Sequence, residues 1–162
     1  MKISTKGYYS VRAIIDIAIH SQSSPIPLSS ISVREDISLH YLEQLFMKLR
    51  RSNLVKSVRG PGGGYVLAKN PKEISIGDVL KSVEESVTPK QVCVTHNKNK
   101  KRNNNCDKID ECVSRLVWQK LSDKMTEILD SISLDSLCHE HEILINKKGS
   151  GGKGQGAGKS KI

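Results

Sequence analysis

The sequence predicts a mainly α-helical fold that carries one small β-hairpin. Three observations support this prediction: apolar residues recur at helical spacing, two of the helical segments meet at a tight corner, and a glycine-rich hairpin follows them. Two helices across a short corner, followed by a two-stranded wing, make a winged helix-turn-helix. We therefore expect a winged helix-turn-helix, joined to a long dimerisation helix nearer the C-terminus.

The first predicted helix covers residues 8–20, where apolar side chains recur at i, i+3, i+4 and i+7. The stretch "SQSSPIP" then interrupts the pattern with serines and two prolines. A short second helix follows, with Ser29 or Ser30 as its N-cap, and it ends near Glu35. The apolar positions of the first helix are Val11, Ile14, Ile15 and Ala18.

A stronger helix is predicted after the corner Glu35-Asp36-Ile37, with Ser38 as its N-cap. One face of this helix is apolar and the opposite face is polar, which also fits an ordinary packing helix with a solvated side. The order of helix, corner, helix and basic hairpin favours a helix that reads DNA. The apolar face carries Leu42, Leu45, Phe46 and Leu49, and the other carries His40, Tyr41, Glu43, Gln44, Met47, Lys48 and Arg51.

The stretch "SVRGPGGGYVLA" predicts a hairpin, because β-branched and aromatic runs at 54–58 and 65–67 flank a Gly/Pro connector. Nucleotide-binding motifs fail on spacing. The frame G-x-G-x-x-G would require glycine at Tyr65, and a Walker loop would require Gly-Lys-Ser/Thr where Tyr65-Val66-Leu67 stands. Arg59, beside Gly60, is therefore expected at the shoulder of an exposed wing tip.

The distribution of charge favours duplex DNA as the partner. Residues 1–70 carry ten Lys/Arg against four Asp/Glu, within a net charge of +9. Aromatic residues are only 4% of the chain, too few for the stacking platforms of single-strand binders. Gln44 suits an adenine edge, Glu43 a cytosine edge, and Arg59 a narrow minor groove. The candidate DNA-binding residues are Ser38, His40, Tyr41, Glu43, Gln44, Arg59 and Gly60.

The C-terminal half is dominated by a predicted helix from Ile109 to Ile132, about 35 Å long. A second copy of this helix is the simplest partner for its apolar stripe, which predicts a twofold homodimer. A helix over 74–86 and a short element in "SLDSLCHEHEILI" complete the pattern. The stripe comprises Val113, Val117, Leu121, Met125, Ile128 and Ile132. The expected units are a DNA-binding domain 1–86, a cysteine-containing loop 87–109, a dimerisation region 110–146 and a disordered Gly/Lys-rich tail 147–162.

Three of the four cysteines, Cys93, Cys106 and Cys112, lie in or beside the aperiodic segment among polar neighbours. With no membrane span or signal peptide in the sequence, we expect a cytoplasmic protein, in which such a set indicates metal binding or redox sensing rather than disulfides. An iron–sulfur centre, a Cys3His zinc site that includes His96, and a thiol switch all remain open. Cys138, beside Leu137, suits a core. A Cys93–His96 nucleophile pair lacks an orienting group, so no enzyme is expected.

Four stretches resemble the Rrf-two family of bacterial winged-helix transcription regulators, in particular its IscR-type iron–sulfur sensors. They are "MKISTKGYYSVRAIIDIA", "ISLHYLEQLFMKLRRSNLVKSVRGPGGGYVLAK", "IGDVLKSVEESV" and "CVSRLVWQKLSDKM", in order from residue 1 to about residue 145. The resemblance implies a homodimer that binds palindromic promoter DNA. It also implies a 2Fe–2S cluster held by Cys93, Cys106 and Cys112, whose occupancy changes which promoters, such as those of iron–sulfur assembly genes, are bound.

The chain departs from the family pattern at the fourth cluster ligand. The resemblance implies a histidine three residues after the last cysteine, but Arg115 stands there, and a guanidinium has no lone pair for a metal. Twelve residues separate Cys93 from Cys106, more than in the family pattern. His96 is our preferred fourth ligand and Asp107 the next. Cys138 or His139 from a second copy remains an alternative if the two long helices run antiparallel.

Overall fold

The computed structural model describes residues 3–21, 24–84 and 113–150, with side chains to residue 148. The mainly helical fold with a two-stranded wing is confirmed. The elements, in chain order, are α1 (Thr5–His20), α2 (Leu28–Glu35), α3 (Leu39–Arg51), β1 (Val55–Val58), β2 (Gly64–Leu67), a 3-10 turn (Pro71–Glu73), α4 (Ile76–Ser82), α5 (Val113–Ser131) and α6 (Leu134–Ser150).

Helix α1 begins three residues earlier than predicted. Its N-cap is Ser4, whose Oγ accepts a hydrogen bond from the Gly7 N–H at 3.3 Å. The inner face is fully buried at Ala13, Ile14 and Ile17. This face packs in the hydrophobic core against residues of the helix-turn-helix.

The corner between α2 and α3 is as predicted, but the start of α2 is not. Pro27 is the N-cap and no side chain caps the helix, so the predicted cap at Ser29 or Ser30 is wrong. Proline fixes an extended entry without needing a hydrogen-bonding side chain. At the corner, Asp36 adopts φ +51°, which turns the chain, and Ser38 then caps α3 by accepting from the Tyr41 N–H.

Two arginine–carboxylate pairs hold α2 against α1. Arg34 donates to both oxygens of Asp16 at 2.8 and 2.7 Å, and Asp16 is 3% exposed. Arg12 donates to the Glu35 carboxylate and backbone carbonyl, both at 2.7 Å. Bidentate and charge-assisted geometry fixes direction as well as distance, so α2 cannot rotate freely on α1.

The predicted apolar face of α3 is confirmed, since its residues are 0–2% exposed. The wing is an antiparallel pair in which Val55 faces Leu67 and Val58 faces Gly64. Ile26 adds a third segment, because it exchanges two backbone hydrogen bonds with Tyr65, at 2.9 and 2.8 Å. The interrupting stretch after α1 therefore supports the wing. The buried residues of α3 are Leu42, Leu45, Phe46 and Leu49.

Helix α4 is shorter than the predicted 74–86, and α6 is longer than the predicted short element. Backbone bonds from Ile76 N–H to the Ile132 carbonyl and from Leu134 N–H to the Ile74 carbonyl, both 2.9 Å, join the start of α4 to the α5–α6 junction. The first four residues of the predicted tail belong to α6, which ends at Ser150. Residues 151–162 lie outside the described part of the chain.

The apolar stripe of α5 divides between two environments. Met125 and Ile132 pack against the core, whereas Val113, Val117, Leu121 and Ile128 are 44–73% exposed. The expectation that only a second copy covers the stripe is therefore wrong for its C-terminal part, which is covered within the chain. The predicted residues 109–112 of this helix lie outside the described residues.

Candidate nucleic-acid interface

The polar face of α3 presents an ordered trio of side chains. Gln44 Nε2 lies 3.0 Å from His40 Nε2, and His40 Nδ1 lies 3.8 Å from Glu43 Oε2. In this contact the Gln44 amide donates to the histidine ring, and the Nδ1 side of the ring is turned towards the carboxylate. The side chains of His40 and Glu43 are 83% and 59% exposed. The trio can therefore meet a ligand while its rotamers are already restrained.

Tyr41 does not share this exposed face, although the sequence placed it there. Its ring meets Tyr9 edge-on at 5.9 Å, so it lies in the seam between α3 and α1. An open cleft of about 400 Å³ at this seam is lined by Thr5, Tyr9, Asp36, Ile37, Ser38 and Tyr41. Ser38 and Tyr41 thus lie beside the polar face of α3, at its N-terminal end.

The wing tip is shaped by glycines with distinct roles. Gly60 and Gly62 have φ values of +108° and +74°, which side-chain-bearing residues rarely adopt. The Gly63 N–H closes the turn on the Gly60 carbonyl at 2.9 Å. A Cβ on Gly63 would meet the Gly60 carbonyl oxygen at 2.9 Å. The tight turn leaves Arg59 exposed at its start, as predicted.

The wing and α3 are held in one frame by an aromatic contact. The Tyr65 ring on β2 meets Phe46 of α3 edge-on at 4.8 Å. Phe46 is fully buried, and Tyr65 is also bonded to the Ile26 backbone. The distance between the exposed face of α3 and the wing tip is therefore set by the core rather than by a free hinge.

One feature at the edge of α3 was not predicted. Lys48 Nζ donates to Glu84 Oε2 at 2.7 Å, joining α3 to the residue that ends the described part of the chain after α4. The Lys48 ammonium, first through this hydrogen bond and then through its charge, lowers the pKa of Glu84. Thirty-six positions separate the two residues, so no local periodicity pairs them.

The predicted metal ligands lie mostly outside the described residues. These are Cys93, His96, Cys106, Asp107 and Cys112. Arg115 is half-buried on α5. Within residues 3–21, 24–84 and 113–150, no group of three or more His, Cys, Asp or Glu side chains is placed to hold a metal ion.

Cys138 is half-buried on α6 and is not among the buried core residues, so the interpretation of a core cysteine is not confirmed. Burial raises the pKa of its thiol, and the carboxylates of Asp135 and Glu142 raise it further. Among the described helices, none is both long and apolar enough to cross a membrane.

Comparison with known proteins identifies the class of regulator. The family model "Rrf2: Iron-dependent Transcriptional regulator" matches residues 3–140. The HTH-type transcriptional regulator IscR of Pectobacterium atrosepticum is 45% identical over 144 residues, which cover 89% of this chain and 83% of that protein. The Escherichia coli O1:K1 IscR is 43% identical over 144 residues, covering 89% and 84%.

Solved structures agree with these relatives. The structure titled "T. potens IscR" matches with a TM-score of 0.64 and 34% identity, covering 96% of this chain and 94% of that one. CymR, "the Global Cysteine Regulator of B. subtilis", matches with a TM-score of 0.68 and 35% identity, covering 86% and 98%. These relatives are transcription regulators rather than enzymes, which confirms the predicted class. The chain belongs to the Rrf2 family of transcriptional regulators.

Proposed function

We propose that α3 and the wing read promoter DNA together. The observation that carries this proposal is the exposed trio of His40, Glu43 and Gln44 beside a wing whose tip bears Arg59. The Gln44 amide and the Glu43 carboxylate discriminate base edges in the major groove. Arg59, with Gly60 allowing close approach, enters the adjacent minor groove. Ser38 and Tyr41, beside the α1–α3 seam, contact the backbone and set the register.

The regulator acts as a cytoplasmic homodimer. Val113, Val117, Leu121 and Ile128 leave an apolar strip on α5 that the other described residues do not cover. A twofold interface along this strip supports DNA reading, because it presents two recognition helices to the two halves of a palindromic site.

We further propose that Cys93, Cys106 and Cys112 hold a 2Fe–2S cluster. Three thiolates in one segment fit an iron–sulfur centre by donor softness, and the family model is described as iron-dependent. A bound cluster would supply an oxidant-sensitive centre whose presence or loss is the signal.

The fourth ligand distinguishes this chain from the family pattern. Arg115 stands where the resemblance implies a histidine, and His96 supplies the nitrogen in our proposal. A zinc-containing or cluster-free regulator, in which the cysteines are structural or act as thiol switches, is the second candidate. The absence of a histidine at position 115 is the observation that favours it.

The two candidates are separated by purification without oxygen, followed by visible absorption and by assays of iron, zinc and sulfide. We expect a coloured protein with about equal iron and sulfide, and loss of colour on Cys93→Ala, Cys106→Ala or Cys112→Ala, because too few soft ligands remain. Cys138→Ala is the matched control and should keep the colour. Zinc without sulfide would overturn the sensor proposal and leave DNA binding intact.

The ligand itself is tested by the lifetime of the cluster in air. His96→Ala should shorten that lifetime if His96 coordinates, whereas Arg115→His should lengthen it by offering the nitrogen that the family pattern has there. An unchanged lifetime for His96→Ala would exclude His96, and Asp107→Ala would be the next variant to compare.

A further inference from the structure

The ion pair between Lys48 and Glu84 occupies the edge of the proposed recognition helix. Lys48 follows Gln44 by one helical turn, at i+4, so its stem lies beside the base-reading trio. Its ammonium turns back to Glu84 at 2.7 Å, and the Lys48 side chain is 32% exposed. A lysine at the rim of a DNA-reading surface is thus engaged by an internal carboxylate.

The backbone of Glu84 is fixed by its own turn. It adopts φ +58°, an uncommon conformation for a residue with a side chain, and its N–H bonds the Lys81 carbonyl at 3.1 Å. Lys81 in turn donates to both oxygens of Asp130 on α5, at 2.8 and 2.9 Å. The carboxylate is therefore presented to α3 from a turn that is anchored to the α4–α5 contact.

The charges around the pair show that the carboxylate is ionised. Lys48 lowers the pKa of Glu84 through a hydrogen bond and then through its charge, and Lys6 on α1 lowers it further. Glu84 thus offsets part of the charge of two lysines, one on α3 and one on α1. The side chains of Lys48 and Glu84 are 32% and 78% exposed, so a phosphate can approach the ion pair from solvent.

We propose that Glu84 is a positioning residue for DNA binding, an internal competitor that holds Lys48 away from the phosphate backbone. This inference rests on the proposed role of α3. Phosphate contacts made by lysines supply the sequence-independent part of affinity, whereas base contacts supply discrimination. Glu84 therefore lowers the affinity for any duplex without changing the preference among sequences. Weaker binding to random DNA shortens the time that the regulator spends bound at sites other than its promoters.

The test measures binding of the full-length protein to a fluorescent duplex of random sequence over a series of KCl concentrations. Glu84→Gln should raise affinity about two- to fivefold, the factor that an exposed ion pair can withhold. It should also steepen the dependence of log affinity on log salt by up to about 0.9, the value for one more phosphate contact. Glu84→Asn repeats the neutralisation with a residue that tolerates positive φ.

Two controls isolate the pair. Glu127→Gln on α5 removes the same charge from a different ion pair, with Lys124, and should change affinity less than Glu84→Gln. In the background of Lys48→Gln, neutralising Glu84 should give no gain. Equal effects of Glu84→Gln and Glu127→Gln, or a full gain without Lys48, would overturn the proposal in favour of a general charge effect.

A third variant separates this inference from the role of α3 itself. Gln44→Ala should reduce discrimination between a selected binding sequence and random DNA, while Glu84→Gln should leave that ratio unchanged. Loss of discrimination on Glu84→Gln would overturn the competitor role. If Gln44→Ala keeps discrimination, the assignment of α3 as the reading helix fails whatever the result at Glu84.

Discussion

Arg59 is the residue at which a single side chain has most effect on the proposed interface. It is exposed at the start of a turn that Gly60 and Gly62 shape, and the Phe46–Tyr65 contact fixes this turn relative to α3. We predict that Arg59→Ala weakens binding to a selected DNA site by about 1–3 kcal/mol and relaxes the preference for the bases under the wing tip. Titrations at one fixed salt concentration, with site variants at those bases, measure both effects.

The control is Lys120→Ala, which removes one exposed positive charge from α5, away from the wing. It should weaken binding only slightly and leave base preference unchanged, because a distant surface charge is screened by salt. If the Arg59 and Lys120 variants bind equally well, the wing makes no base contact.

At the residue scale, local rules predicted some contacts and not others. Ser38 as the cap of α3 and the exposure of Arg59 follow from neighbouring residues, and the structure confirms both. Tyr41 was placed on the wrong side, since helical spacing cannot show that Tyr9 packs against it. Lys48 and Glu84 are also outside the reach of such rules, because α4 must first fold back towards α3.

At the scale of elements, the wing depends on a close approach of two backbones. A Cβ on Gly64 would meet the backbone carbonyl of Ile26 and, at 2.7 Å, the Pro27 nitrogen. We predict that Gly64→Ala lowers the free energy of unfolding by about 1–3 kcal/mol, as overpacking does, because the backbone of Ile26 must move. Denaturant titration measures the loss, and DNA titration should show weaker binding at a temperature where the protein stays folded.

Gly62→Asn is the matched variant within the same wing. No heavy atom lies within 4 Å of a Cβ at Gly62, and asparagine tolerates its φ of +74°. It should change the free energy of unfolding far less than Gly64→Ala. Equal losses would mean that the contact with Ile26 does not set the cost of the substitution at Gly64.

The predicted elements were most accurate where local chemistry decides them. The apolar stripe of α3 and the glycine-rich hairpin are strong patterns, and both are confirmed. The predicted start of α2 was wrong. Serine is a favoured N-cap residue, but Pro27 is the N-cap of α2 and no side chain caps the helix. The length of α6 was underestimated, since its few apolar residues give a weak helical pattern; docking of Leu134 into the core adds long-range support.

At the scale of the whole molecule, α5 serves two surfaces. Its C-terminal part is attached to the DNA-binding unit, through Lys81–Asp130 and through close packing of Gly77, which leaves no space for a Cβ beside Asp130. Its N-terminal part exposes Val117 and Leu121, which are 58% and 44% accessible. A dimer formed along this part would transmit its geometry directly to the two reading helices, because α5 and α4 are joined rigidly in each protomer.

We predict that Leu121→Glu converts the proposed homodimer into monomers. A carboxylate at this position would be buried against a second copy, and the lost leucine withdraws about 1.5–3 kcal/mol of apolar burial from each side. Analytical ultracentrifugation measures the mass.

Gln119→Glu, which adds the same charge at an exposed polar position of α5, should leave the dimer intact. Leu121→Glu should also lower the affinity for a palindromic site towards the affinity for a half-site. A monomer carries only one recognition helix, so it can contact only one half of the site at a time. A Leu121→Glu protein that keeps the parent's mass would place the dimer contact elsewhere on the molecule.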